Sequence, residues 1–446
     1  MERKISMTRF TALIAAFVTA VLIGACTASH AAPLTKRDVL TLRDGRFYLH
    51  GKRFAEISFN KFDLFWEPFD LLKNGKGDTQ EYRDMVAAQD HALRELHEMG
   101  FRSIRIFGAP WGIWDLRATF DDPAKRESVY FKAMDTVLDL CDKNDIRVVY
   151  SLGCANFTDR ALVHGKWVYG EEHERELIAN PASRSRQELY RYIDIVVNRY
   201  KSRQTILMWE ISNETTLSAD ISPETNIYNG ERMPALLDVA HFFNDVATRI
   251  KANDPLRLVN SGGSCMRGCQ WNQYTNHKWI LDTVEEQNKA LSLVYSGSAV
   301  DVLDIHYYTN NHCVNEMVEG ADGKKVPMDI GQYMAAAKRI GKPLMIGETG
   351  SSETARDDNP KNKQVYAETP DYHDSYWDPN AAKWVKILCD QIVDAGPQLT
   401  YWWEYSSNRP VDQKAPSFDI KKGRTDPVLA EIIDANKRLK AKLGAQ

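Results

Sequence analysis

The chain has 446 residues, 43% hydrophobic and 26% charged, with a formal net charge of −4. That balance allows a sizeable core and excludes a disordered or fibrous chain. It gives no basic surplus, so nucleic acid is excluded as an expected partner.

At the N-terminus, Arg3, Lys4 and Arg9 flank the start of the apolar run ALIAAFVTAVLIGA at 12–25. A basic start before a run of that length reads as an export signal over residues 1–31, too short for a membrane span. Two processing routes stay open. Cleavage follows the small-residue stretch SHA at 29–31, or the lipobox-like LIGAC leaves Cys26 lipid-modified, the one expected tie to a membrane. The mature protein is expected to be exported: periplasmic, an outer-membrane lipoprotein, or secreted by a bacterium.

Past the signal, LRDGRFYLHGKRF (42–54) reads as a hairpin turning at Asp44-Gly45. A rhythm then begins. Short, continuous apolar runs at 54–60, 103–108, 146–152, 205–212, 256–262, 301–308, 342–348 and 399–406 suit strands buried on both faces of a parallel sheet. Helical patterns lie between them. The first, at 78–100, is expected to open on a capping signal at Asp78 and Glu81, carries Met85, Ala88, Ala92, Leu96 and Met99 on one face, and closes at Gly100. The stretch WILDTVEEQNKAL is the weakest helical match. Eight strands alternating with helices predict an α/β fold, a (β/α)8 TIM barrel with long βα loops. An open doubly wound sheet would want a glycine-rich turn after the first strand, and none is there. Without a Pro/Ser/Thr-rich linker, residues 33–446 read as one domain, expected to be monomeric.

Of seven cysteines, Cys265, Cys269 and Cys313 fall in segments where an oxidising compartment would allow pairing. Cys141, Cys154 and Cys389 are expected as buried thiols. A metal-dependent hydrolase would need histidines converging at strand ends, and only His306 and His312 lie near each other. No metal or organic cofactor is expected.

Two acids stand out. In ILMWEISNETT the fourth strand runs into Asn213-Glu214, and in KPLMIGETGSS the seventh ends on Glu348. A buried acid is costly unless paired or chemically useful. In a (β/α)8 barrel both strand ends open onto one bowl. Two carboxyl groups facing across a bowl are what retaining glycoside hydrolysis needs, about 5 Å apart, one attacking and one moving the proton. Tryptophans gather in the same places. Trp66, Trp111, Trp114, Trp167, Trp271, Trp377, Trp402 and Trp403 follow strands, and flat amphipathic rings suit the C–H faces of sugars.

The segments WEISNE, DIHYY, IGETG and YWWEY, in that order, resemble the retaining (β/α)8 glycosidases, most of all glycoside hydrolase family 5, the cellulases and mannanases. The resemblance runs from about residue 42 onward. It implies a β-linked glycan as substrate, Glu214 as acid/base and Glu348 as nucleophile. It implies that Asn213 binds the sugar 2-hydroxyl, that Tyr307 or Tyr308 donates to the nucleophile, and that His306 lines the same side. Arg105 would keep Glu348 ionised, and Trp402 or Trp403 would form the sugar platform. After the third strand, SLGCANF offers Asn156 where cellulase-like members carry histidine, which is closer to the mannanase-like pattern. Mannan and glucan, and endo and exo action, stay open. A non-catalytic sugar-binding barrel is the competing reading, and the presence of both glutamates argues against it.

Overall fold

The eight apolar runs form one parallel sheet: β1 (Glu56–Asn60), β2 (Ser103–Phe107), β3 (Arg147–Ser151), β4 (Ile206–Glu210), β5 (Val259–Asn260), β6 (Leu303–Tyr308), β7 (Leu344–Gly350) and β8 (Leu399–Trp402). The computed structural model describes residues 34–109, 119–153, 160–163, 166–169, 174–221, 227–228, 231–308, 317–320, 322–350, 381–406 and 419–446. The order across the sheet is β5-β4-β3-β2-β1-β8-β7-β6, a barrel with one seam between β5 and β6. Side chains bridge that seam. The Asp301 N–H donates to Val259 O (2.8 Å) and its carboxylate accepts the Val259 N–H (2.8 Å). One turn of side chains higher, the Asn260 amide donates to Asp304 Oδ2 (2.8 Å). Residues Thr35–Gln446 pack as one unit.

The predicted hairpin is a three-stranded meander, Thr41–Arg43, Arg46–Leu49 and Lys52–Arg53. Each two-residue turn has both residues at positive φ: Asp44 (50°) with Gly45 (68°), then His50 (52°) with Gly51 (76°). That is the primed turn whose twist matches paired strands. The meander plugs the lower mouth of the barrel. Leu40, Phe47 and Phe54 pack with Val149, Leu207, Met208, Val302, Met345, Leu399 and Tyr401. The larger apolar layer lies between sheet and helices.

The first long helix runs Gln80–Glu98 and is capped by Thr79, whose hydroxyl accepts the Tyr82 N–H (3.3 Å), one residue later than Asp78. The weak helical match is a firm helix, Val284–Tyr295. Thr283 and Glu286 form a reciprocal capping box there, a signal present in the sequence as Thr-Val-Glu-Glu. Helix Asp63–Lys73 and the short hairpins Arg160–Val163/Lys166–Tyr169, Ile227–Tyr228/Glu231–Arg232 and Met317–Glu319/Lys325–Pro327 were not anticipated. Cys141, Cys269 and Cys389 are buried thiols, so Cys269 is no half of a disulfide; Cys154 and Cys313 lie outside the described residues. Among the described residues no helix is long and apolar enough to cross a membrane.

Candidate active site

Alternation along each strand decides which side chains enter the barrel. On β6, Asp304, His306 and Tyr308 share the inner face. Tyr307 faces outward, its ring 6.4 Å from Tyr333 on helix Ile330–Ile340. On β8, Trp402 is fully buried and its ring lies 6.5 Å from Trp384 of helix Ala381–Ala395, so it has no surface to offer a sugar. Trp403 is on the other side. It is partly exposed, 6.0 Å from both Phe62 and Phe107. Of the two tyrosines it is Tyr308 whose hydroxyl donates to Glu348, and of the two tryptophans it is Trp403 that keeps exposed surface. Trp111, Trp114, Asn156 and Trp377 lie outside the described residues.

The seventh strand carries a bulge. Against β6 the register steps from Ile305↔Ile346 to His306↔Glu348, and against β8 from Ile346↔Thr400 to Thr349↔Trp402. Both neighbours therefore see one extra residue at Gly347-Glu348. A bulge frees backbone groups and re-aims the next side chain. Both freed groups of Gly347 are caught. Its N–H donates to Asp304 Oδ1 (2.9 Å) and its carbonyl accepts from Asn60 Nδ2 (3.0 Å). A Cβ there would sit 2.9 Å from both Asp304 oxygens and 3.0 Å from His306 Nε2, so only glycine fits.

Arg105, fully buried on β2, organises the floor beneath Glu348. It donates to Glu348 Oε1 (2.7 Å), to both oxygens of Glu210 (2.8–3.1 Å), to Asn60 Oδ1 (2.9 Å) and to Asn213 Oδ1 (2.8 Å). Burial alone would weaken its charge. The Glu210 and Glu348 carboxylates outweigh that and hold its pKa above the ordinary value. Glu348 gains a second donor in the Tyr308 hydroxyl (2.9 Å on Oε2). A cation and a phenol thus hold the two oxygens of one carboxylate in place.

Glu214 stands on a different footing. It has φ 53°, ψ 24°, left-handed backbone that a non-glycine residue adopts at a cost. The conformation is held by its own N–H, which donates to Gly262 O (2.7 Å). Gly262, at φ 67°, lets the segment after β5 come close enough; a Cβ there would lie 1.7 Å from Ser212 O. Arg267 braces the turn from below, donating to Leu217 O (2.7 Å) and Ala219 O.

Behind that turn, burial pushes the Asp220 carboxyl up to about 6, against the Leu236 N–H it accepts (2.9 Å) and the charge of Arg267. The folded chain keeps this proton where the unfolded chain sheds it. Stability is therefore full below about pH 4 and falls as pH rises to about 6. Asp220→Asn should remove that slope. It should gain on the wild type by at most about 3 kcal/mol between pH 4 and pH 7, read from urea unfolding at both values. Equal slopes in the two proteins would refute the linkage.

His306 sits between the two acids, its Nδ1 2.9 Å from Glu214 Oε1 and 3.5 Å from Glu348 Oε2. One donor atom from each of Glu214, His306 and Glu348 lies within 4.8 Å of the others. A cation placed among them would face the Arg105 charge already on Glu348, which disfavours the cluster as a metal site. Sequence reasoning missed Glu210, Asn60, Asn260 and Asp304. Glu210 was visible in WEISNE, on the inner parity of β4 and on the strand beyond Arg105's neighbour.

A barrel that brings two carboxyl groups this close, one clamped by a cation and a phenol, is built for double displacement at an acetal carbon. The chain is a glycoside hydrolase of the retaining kind. Residues 69–383 match the family described as Cellulase (glycosyl hydrolase family 5), and the chain belongs to that family. It is 24% identical to mannan endo-1,4-beta-mannosidase 8 of rice over 58% of this chain and 69% of that protein. It is 23% identical to mannan endo-1,4-beta-mannosidase 4 of tomato over 50% of this chain and 53% of that one, so it spans little more than half of some curated relatives. The family 5 mannosidase from Rhizomucor miehei, solved with mannosyl-fructose, superposes with a TM-score of 0.59 at 17% identity, covering 92% of this chain and 99% of that one. The Thermotoga petrophila endo-beta-1,4-mannanase gives 0.54 at 15% identity, covering 87% and 77%. The barrel is thus the fold of family 5.

Proposed function

We propose that the protein hydrolyses β-linked mannan-type glycans by double displacement, with Glu348 as nucleophile and Glu214 as acid/base. The observation that carries this reading is the pair of carboxyl groups joined through His306, with Arg105 on Glu348 alone among the two. Mannan is favoured by the names of the relatives. In the first step a Glu348 oxygen attacks the anomeric carbon while Glu214 gives its proton to the departing glycosidic oxygen. In the second, Glu214 takes a proton from water, and that water displaces Glu348. His306, with the Nδ1 proton toward Glu214 Oε1, steers the other Glu214 oxygen toward the leaving group. Asn213 has its carbonyl engaged by Arg105, which turns its amide nitrogen toward the sugar 2-hydroxyl. Trp403 offers the platform beneath the ring. The reading extends to an exported, monomeric enzyme, supported by the basic and apolar N-terminal run, with Cys26 as the candidate lipid site.

The test is a reducing-end assay of residues 33–446 on soluble β-mannans, β-glucans, xylans and galactans, with Glu214→Gln alongside. Mannan cleavage is expected, together with a loss of roughly a thousandfold in the variant. On an aryl glycoside whose leaving group needs no proton, the first step of Glu214→Gln should run near the wild-type rate. Cleavage of β-glucan alone would overturn the substrate, and an unimpaired variant would overturn the acid/base assignment.

A further inference from the structure

The nucleophile's strand is distorted at one residue, and one buried side chain holds the distortion. Gly347 is the extra residue of β7 against both β6 and β8. Its carbonyl is held by Asn60, which Arg105 also grips, so that side belongs to the floor already described. Its N–H is held by Asp304, which touches neither Glu348 nor Glu214 by any hydrogen bond found. Asp304 comes from β6, two residues before His306 on the same face, and is fully buried.

We propose that Asp304 is a positioning residue for the nucleophile: by accepting the Gly347 N–H it locks the bulge, and the locked bulge sets where the Glu348 carboxylate points. This rests on the assignment of Glu348 as nucleophile. Without the acceptor, the shortest relaxation is for β7 to slide back into regular register with β6. A one-residue slip in a strand turns a side chain to the opposite face. Even a partial slip moves the Glu348 carboxylate off Arg105 and Tyr308 by about an ångström.

The surroundings of Asp304 say what kind of acceptor it is. The Glu210 carboxylate reaches it from β4 through Asn260, whose Nδ2 donates to Glu210 Oε2 (3.1 Å) and to Asp304 Oδ2 (2.8 Å). Arg105 faces it from β2, the Tyr295 hydroxyl donates to its backbone carbonyl (3.3 Å), and His306 Nε2 lies across Gly347. Burial first, and the Glu210 charge second, raise its carboxyl well above the usual carboxylate range, against the pull of Arg105. Both of its oxygens accept, Oδ1 from the Gly347 N–H and Oδ2 from the Asn260 amide. An amide keeps the Oδ1 acceptor for Gly347 but sets its NH2 against the Asn260 amide, so Asp304→Asn separates the contact to the bulge from the contact to Asn260.

The experiment compares Asp304→Asn, Asp304→Ala and Asp304→Ser with the wild type, each checked for a native near-ultraviolet spectrum at the assay temperature. The substrates are β-mannan and a dinitrophenyl β-mannoside. Asp304→Asn, which keeps the acceptor for Gly347 and loses the one for Asn260, should lose less kcat than Asp304→Ala on both. Asp304→Ala and Asp304→Ser should lose about a hundredfold in kcat with KM little changed, the scale of an ångström's misplacement of a reacting group. The loss should be equal on the activated aryl glycoside, because attack and not proton transfer is impaired. A kcat within twofold of wild type in Asp304→Ala or Asp304→Ser overturns the proposal, as does an Asp304→Asn variant as impaired as they are. If Asp304→Ala melts below the assay temperature, Asp304→Ser and Asp304→Asn decide by the same criteria. A wild type inert on every glycoside would instead sink the hydrolytic assignment, and this one with it.

Discussion

Glu348→Gln is expected to lose roughly 10³- to 10⁵-fold in turnover while its melting temperature stays near that of the wild type. The two halves of this result have separate causes. An amide is nearly isosteric with the carboxylate: its oxygen still accepts from Arg105, and its NH2 can donate to the Tyr308 hydroxyl oxygen once that hydroxyl turns, the two partners lying 2.7 and 2.9 Å from the acid. Arg105 keeps its pairing with Glu210, so no charge is stranded. The amide oxygen is a poor nucleophile, so the covalent step is lost. Chemical rescue separates the roles of the two acids. In a Glu348→Gly variant, azide occupies the vacated space and attacks from the nucleophile's face, giving an α-glycosyl azide from a β-glycoside. In Glu214→Gly, azide meets the glycosyl-enzyme from the other face and gives the β-product. Nuclear magnetic resonance of the products reads the outcome, and the opposite pattern would exchange the two assignments.

Arg105→Met should cost about 3–5 kcal/mol of stability, and turnover should fall at least a hundredfold. Arg105 is fully buried and ties two acids and two amides together. Methionine fills similar volume but leaves Glu210 and Glu348 as like charges in a dry barrel. Arg105→Lys keeps a charge but not the planar fork. One ammonium cannot serve Glu210 and Glu348 together in those geometries. That variant should fold better than Arg105→Met yet remain well below wild-type turnover. Urea unfolding checks the first effect and steady-state kinetics the second. A stable, active Arg105→Met would mean that the floor network is dispensable.

The barrel itself was legible because parallel strands buried on both faces leave continuous apolar runs, and all eight were found to within a few residues. The two acids proposed as catalytic were legible because each ends such a run. Parity was an unused signal. His306 and Tyr308 are two apart and share a face, whereas Tyr307 cannot join them; Tyr401 and Trp403 relate in the same way. Asp304 and Asn260 were hidden for a different reason. Their partners are a backbone amide in a bulge and carboxylates on the strands either side of β5, and no spacing rule announces a bulge. Glu210 lay four residues from Glu214 in the same motif, and attention to the terminal acid eclipsed it. The first helix was placed one residue early because Asp78 and Thr79 are both good caps and only the hydroxyl of Thr79 is in reach of Tyr82.

The seam between β5 and β6 makes the barrel a split ring. Seven joints are strand ladders, stiff in shear, and the eighth is one backbone hydrogen bond and a few side-chain contacts, among them those of Asp301, Asn260 and Asp304. Any elastic widening concentrates there. Glu214 hangs from the arc that ends at β5, and Glu348 from the arc that ends at β6. Prying the joint apart therefore lengthens the gap between them. That gap separates retention from inversion, since a wider one admits water in place of a covalent bond. The spacing of the two acids is then a mechanical property, tied to the stiffness of one joint just beneath them.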